Sequence, residues 1–196
     1  MPARLVVLIS GSGSNLQAIL EAQASGELSG QVVAVYSNKS DAYGLVRAEM
    51  FGVPSIVFPI RAGEFREEYD ARLAEDVGRQ NPDYVILAGW MRLLSSVFLK
   101  QFPGKVINLH PALPGFFAGT HSIQRAYEAW TRAEIDHSGV MVHLVLDEGV
   151  DNGPVLATQK IYFQPGESMQ EFETRVHTIE HTLLVQTIKY VIQGIV

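Results

Sequence analysis

An open α/β domain is the fold class that this sequence predicts: a mostly parallel, twisted sheet with helices on both faces and an antiparallel addition near the C-terminal end. Three observations predict it. Short β-rich apolar runs recur at Leu5–Ser10, Val32–Ser37, Ser55–Phe58, Tyr84–Gly89 and Val106–Leu109. The segments between them carry helical periodicity, and the pattern changes after Pro111. Strands alternating with amphipathic helices form βαβ units with right-handed crossovers, and strands covered on both faces read as continuous apolar runs. Such an arrangement is Rossmann-like.

The elements follow in order. The first strand runs into the turn Ser10-Gly-Ser-Gly-Ser-Asn15, after which Leu16, Ile19 and Leu20 fall at helical spacing. Phe65, Tyr69, Leu73 and Val77 repeat every four residues, and Glu68–Arg72 and Glu75–Arg79 are placed for i, i+4 ion pairs on that helix. Beyond Pro111, a loop with Pro114, Gly115 and Gly119 leads to a short helix near Ser122–Trp130. Two further strands, Gly139–Leu146 and Val155–Phe163, flank the turn-rich segment 147–154. Ser168-Met-Gln-Glu171 fits a capping box that opens a long last helix, with Phe172, Val176, Ile179 and Leu183 as its expected apolar stripe. There are no repeats, linkers or low-complexity tracts. The expected organisation is one domain over 1–196, with halves of about 1–100 and 101–196.

Composition narrows the function classes. Hydrophobic residues at 47% and charged ones at 18% are those of an ordered globular chain. The net charge of −6 disfavours an extended nucleic-acid surface. With no cysteine, disulfides, thiolate catalysis and Cys-ligated zinc are excluded. Leu5–Ile9 is too short for a signal peptide, and no apolar run is long enough for a membrane span, so a cytoplasmic protein without membrane or nucleic-acid partners is expected. The sequence is compatible with a monomer or a homodimer.

Val106-Ile-Asn-Leu-His-Pro111 is the most informative stretch. Asn108 and His110 are two residues apart, so on an extended chain they leave the same face, and Pro111 stops the ladder just beyond them. Ligands of open α/β sheets bind at these carboxyl ends. A carboxamide donates to a developing oxyanion and an imidazole moves protons near neutral pH, which points to acyl transfer. The turn at 10–15 offers Gly11, Ser12, Gly13, Ser14 and Asn15 to a phosphate at a helix N-terminus. It lacks the third glycine of a dinucleotide fingerprint, because position 16 is Leu, and it lacks the Gly-Lys-Ser/Thr of a P-loop. A plain strand–helix turn capped by Ser14 is the competing reading. Asp147, Glu148 and Asp151 form an acidic turn, which gains meaning only if folding brings it beside His110. The remaining histidines, including His177 and His181 at i, i+4, form no metal-ligand pattern, and no metal is expected.

Taken together, Val7–Ala18, Ser37-Asn-Lys39 with Asp41-Ala-Tyr-Gly44, Leu87-Ala-Gly-Trp-Met-Arg92, Ile107-Asn-Leu-His-Pro111 and Asp151-Asn-Gly-Pro154 occur in an order and spacing that resembles the phosphoribosylglycinamide formyltransferase family over nearly the whole chain. The resemblance implies a formyltransferase fold and transfer of a formyl group from 10-formyltetrahydrofolate to the amine of glycinamide ribonucleotide in purine synthesis. It assigns Asn108, His110 and Asp151 to catalysis, the glycine turn to the substrate phosphate and Glu180 to the glycinamide end. It assigns Trp90, Met91, Arg92, Leu93, Leu94, Val106, Val145 and Asp147 to the folate. Of these, Val106 and Val145 read equally well as core. The chain departs from the family's usual pattern in Ala112-Leu-Pro-Gly115 and in an Asp147–Asp151 turn one residue longer. The related transferase that acts on methionyl-tRNA, the hydrolase of formyltetrahydrofolate and a non-catalytic ligand-binding module are the alternatives.

Overall fold

The computed structural model describes residues 1–196. Thirteen elements alternate along it: β1 (Arg4–Ile9), α1 (Ser14–Ala24), β2 (Gln31–Ser37), α2 (Tyr43–Met50), β3 (Ser55–Val57), α3 (Arg66–Gly78), β4 (Tyr84–Leu87), α4 (Ser96–Leu99), β5 (Val106–His110), α5 (Ser122–Thr131), β6 (His137–Leu144), β7 (Val155–Tyr162) and α6 (Met169–Ile192). The strands form one sheet in the order β3-β2-β1-β4-β5-β6-β7. Pairings from β3 to β5 are parallel, and β6 and β7 add antiparallel. The fold class read from the sequence is the one observed.

Two apolar layers cover the sheet, and the alternation along β5 shows how they divide. Ile107 and Leu109 join the larger core, which includes residues of α1, α2 and α6. Val106 joins the smaller one with Tyr69, Leu73 and Val77 of α3 and Phe98 and Leu99 of α4. Asn108 and His110 therefore leave β5 on the side of Val106.

The chain visits β1, β2 and β3 outward on one side, then returns to place β4 on the other side of β1. That reversal opens a crevice beyond the carboxyl ends of β1 and β4. The glycine turn follows β1 and the Trp90 segment follows β4. They are joined across the crevice by Ser10, whose Oγ accepts from the Met91 N–H at 2.9 Å and donates to Asn38 Oδ1 at 2.7 Å.

Several local expectations need correction. Phe65 precedes α3 and is 73% exposed, so the buried stripe begins at Tyr69. Glu68 turns back to accept from the Phe65 N–H at 3.1 Å, and Arg72 pairs instead with Glu64 at 2.9 Å. The helix end won over the i, i+4 pair because a free N–H at the first turn takes the nearest carboxylate. The Glu75–Arg79 pair forms at 2.7 Å. Ser14 does not cap α1: Gly13 holds the N-cap position with φ 71° and no side-chain cap is made. The capping box at Ser168 and Glu171 forms as read. Along α6 the buried stripe runs Phe172, Val176, Glu180, Leu184, Ile188, Val191, while Ile179 and Leu183 are only half-buried. Two elements, α2 and α4, were not anticipated. Both are too short to repeat an apolar period.

Candidate active site

β5 ends with Asn108 half-buried and His110 buried, and the turn between β6 and β7 brings Asp151 to them. Asp151 Oδ2 lies 3.2 Å from His110 Nδ1 and accepts from the Gly119 N–H at 2.8 Å. Its Oδ1 accepts from Asn108 Nδ2 at 3.1 Å. Asp151 adopts φ 52°, a left-handed conformation that Asp tolerates better than most residues. The acidic turn thus does meet His110. Asn108 and Asp151 lie 43 positions apart in sequence, so only the fold makes this contact.

His110 is held at both ring nitrogens. Nδ1 faces Asp151, and Nε2 lies 3.2 Å from the carbonyl oxygen of Phe117, which also accepts from Arg125 at 2.6 Å. Both neighbours are acceptors, so the imidazolium satisfies both contacts. Burial opposes that charge and pushes the His110 pKa below its ordinary value; the Asp151 carboxylate acts the other way without reversing it. Burial also pushes the Asp151 carboxyl up, but contacts from His143 and the Gly119 N–H, with the two histidines' charges, leave it below the usual carboxylate range.

Sequence reasoning missed His143. It stands directly opposite Asn108 in the β5–β6 register, with Nε2 3.0 Å from Asn108 Nδ2 and 3.5 Å from Asp151 Oδ1. Its partner across the strand pair could be found only once that register was known.

The other expected residues divide. In the glycine turn, Gly11 and Ser12 are exposed, Ser14 and Asn15 half-buried, and Gly13 buried. A Cβ on Gly13 would lie 2.5 Å from Gly44 Cα, so the freedom at Gly13 serves the close approach of α2, while Gly11 faces open space. Arg47 of α2 donates to the Ser12 carbonyl at 2.9 Å and ties the turn from behind. Asn15 Oδ1 is buried without a partner. Glu180 is 4% exposed and bonded to His177 Nδ1 at 2.6 Å, a carboxylate set in the apolar stripe of α6.

In the segment after β4, Met91 and Leu93 are exposed and Arg92 is half-buried, its guanidinium 4.7 Å above the Tyr69 ring. Trp90 and Leu94 are buried in the smaller core, and the indole Nε1 has no partner. Val106 has no exposed surface and is core; Val145 is half-buried against the same layer. Asp147 is exposed, and its Oδ1 accepts from the Gly149 N–H at 2.8 Å, closing an Asx turn. Glu148 fastens the same turn, accepting from the Ser96 N–H at 2.8 Å and pairing with Arg66. No group of three or more His, Cys, Asp or Glu is arranged to hold a metal ion.

Known proteins resemble the chain over nearly its whole length. Residues 3–188 match the formyl transferase family. The chain is 44% identical to the phosphoribosylglycinamide formyltransferase of Schizosaccharomyces pombe, over 98% of each chain. It is 40% identical to that of Escherichia coli, over 97% of this chain and 87% of the other. Among solved structures it superposes on glycinamide ribonucleotide transformylase 1 from Symbiobacterium toebii with TM-score 0.91 and 36% identity, covering 98% of this chain and 88% of the other. The enzyme of that name from Geobacillus kaustophilus gives TM-score 0.91 at 34% identity, over 98% of this chain and 100% of the other. An α/β domain with Asn108, His110 and Asp151 joined at the end of β5, matched over nearly its whole length by these relatives, belongs to the formyl transferase family as a phosphoribosylglycinamide formyltransferase, an enzyme of one-carbon group transfer.

Proposed function

We propose that the protein transfers the formyl group of 10-formyltetrahydrofolate to the primary amine of 5′-phosphoribosylglycinamide, a step of purine biosynthesis, acting on small molecules in the cytoplasm. The observation that carries the reading is the convergence of Asn108, His110 and Asp151, with Asp151 bonded to both others. The exposed Gly11–Ser12 end of the glycine turn is the phosphate-binding surface, with backbone N–H groups at the start of α1. Exposed Met91 and Leu93 together with Arg92 and the Asp147 turn form the folate side, and the buried Trp90, Leu94 and Val106 with the half-buried Val145 support it from beneath.

Amine attack on the formyl carbon generates a tetrahedral centre bearing an oxyanion. Asn108 shares an N–H with that oxygen; the one now held by Asp151 Oδ1 is the exchangeable one, since Asp151 keeps Gly119 and His110. His110 donates from Nε2, exchanging the Phe117 carbonyl for the substrate oxygen. Removing such a donor costs roughly 10²–10³ in rate, about 3–4 kcal/mol. Asp151 orients the imidazole and takes part in moving the proton from the attacking amine to the departing folate nitrogen, a contribution on the order of 10²–10⁴. Holding amine and formyl carbon in one crevice supplies the orientation term.

Deformylation of 10-formyltetrahydrofolate, followed by absorbance, tests the reading. It is expected to be negligible until glycinamide ribonucleotide is added, and far slower with the unphosphorylated nucleoside, because remote phosphate binding orients the amine. Rapid acceptor-free hydrolysis, or equal formylation of methionyl-tRNA, overturns it.

A further inference from the structure

We infer that His143 is a positioning residue for the Asn108 carboxamide, fixing which end of the amide each neighbour meets. The inference rests on the reading of Asn108 as a reacting group. A carboxamide has nearly the same shape in its two orientations, so only its partners choose between them. His143 Nδ1 lies 3.0 Å from the Leu144 carbonyl oxygen, an acceptor only, so Nδ1 carries a hydrogen, and in the neutral ring Nε2 then presents a lone pair. That lone pair receives Asn108 Nδ2 at 3.0 Å. Turned over, Asn108 would set its carbonyl oxygen against this lone pair and against the Asp151 carboxylate, two acceptor–acceptor contacts in a buried site.

The local fold serves the same contact. His143 is 2% exposed, so water does not compete at Nε2. The β6–β7 register shifts between Val142 and His143, an irregularity of the kind that re-aims a side chain. Gly153 passes beside the imidazole: a Cβ there would collide with the Leu144 carbonyl oxygen and stand 3.3 Å from His143 Nδ1. Asp151 alone does not fix the amide, because its oxygens also serve Gly119 and His110. His143 Nε2 stands closer to Asn108 Nδ2, at 3.0 Å, than to Asp151 Oδ1, at 3.5 Å. It keeps one N–H of Asn108 while the other is shared with the substrate oxygen.

Steady-state formyl transfer with both substrates varied tests this in His143→Leu, His143→Gln, His143→Asn, Asn108→Ala and the Asn108→Ala/His143→Leu pair, with thermal unfolding alongside. His143→Leu is expected to lower kcat by about tenfold or more with both KM values within about twofold, since the lost interaction matters in the transition state. Gln, whose amide oxygen reaches toward the Nε2 position, restores most of kcat, whereas the shorter Asn does not. In the Asn108→Ala background, removing His143 costs less than about twofold further, because the two act as a unit. A folded His143→Leu with wild-type kcat, or losses that multiply in the double variant, overturns the inference while leaving Asn108 in its role. If His143→Leu does not fold, the Gln and Asn variants decide, and equal kcat in the two overturns it. Wild-type turnover in Asn108→Ala overturns the role of Asn108 and this inference together.

Discussion

At the scale of single residues, the site is a small set of polar groups that satisfy one another at the end of a buried strand. Asn108→Ala, His110→Ala and Asp151→Ala are each expected to lower kcat by roughly 10²–10⁴ while binding of the ribonucleotide survives, and the losses should fall well short of multiplying. Steady-state kinetics with calorimetric binding checks this; near-normal turnover in any folded variant removes that residue from the chemistry. The two glycines of the turn give a second prediction. Gly11→Ala adds its Cβ to open space, so it should weaken ribonucleotide binding with little change in melting temperature. Gly13→Ala meets the backbone of Gly44 from a left-handed conformation, so it should lower the melting temperature by several degrees whatever it does to binding. Equal binding and equal stability in Gly11→Ala would make the turn purely structural. Val106 shows how close the two kinds of role lie: two residues before Asn108 on the same strand, it has no exposed surface at all.

At the scale of elements, α6 carries charge where its pattern calls for apolar side chains. Glu180 is buried in its stripe and holds His177, whose pKa is raised chiefly by that hydrogen bond. A raised folded-state pKa means that the stabilisation from His177 is complete below its unfolded value of about 6.5 and is lost as pH rises through the folded value. Burial acts oppositely on His110 and His181, lowering both, so these two cost stability as pH falls below about 6.5. Melting temperatures of wild type and His177→Gln should therefore differ most at acidic pH and converge as pH rises. A gap independent of pH would mean that the pair does not titrate as its geometry implies. The acidic turn after β6 is anchored in a similar manner, since Glu148 reaches the Ser96 N–H and Arg66 on neighbouring helical elements and so holds the backbone that presents Asp151.

At the scale of the whole molecule, two apolar layers pack on opposite faces of one sheet. Leu73 of α3 and Leu184 of α6 are fully buried in different layers. Each Leu→Ala change should cost about 2–5 kcal/mol. Because the sheet separates them, the double variant should lose the sum within about 0.5 kcal/mol. Urea denaturation measures this, and a large deviation would show that the layers are coupled through the strands. The order of the strands does the functional work at this scale. By reversing between β1 and β4 it places the glycine turn, the Trp90 segment and the end of β5 along one edge.

The sequence by itself determined the alternation of strands and helices, the antiparallel addition, the polar end of β5 and the glycine turn, because each is a local pattern of period, apolar run or turn chemistry. Where two local demands competed, it misjudged the outcome: Glu68 capped its helix instead of pairing with Arg72, and Gly13 met α2. Only the tertiary structure decided that Asp151 reaches His110, that His143 stands opposite Asn108, and that Glu180 lies inside the stripe of α6. Those facts depend on strand register and on which loop crosses which edge, and contacts between residues tens of positions apart are set by the packing of the whole sheet, not by any neighbour along the chain.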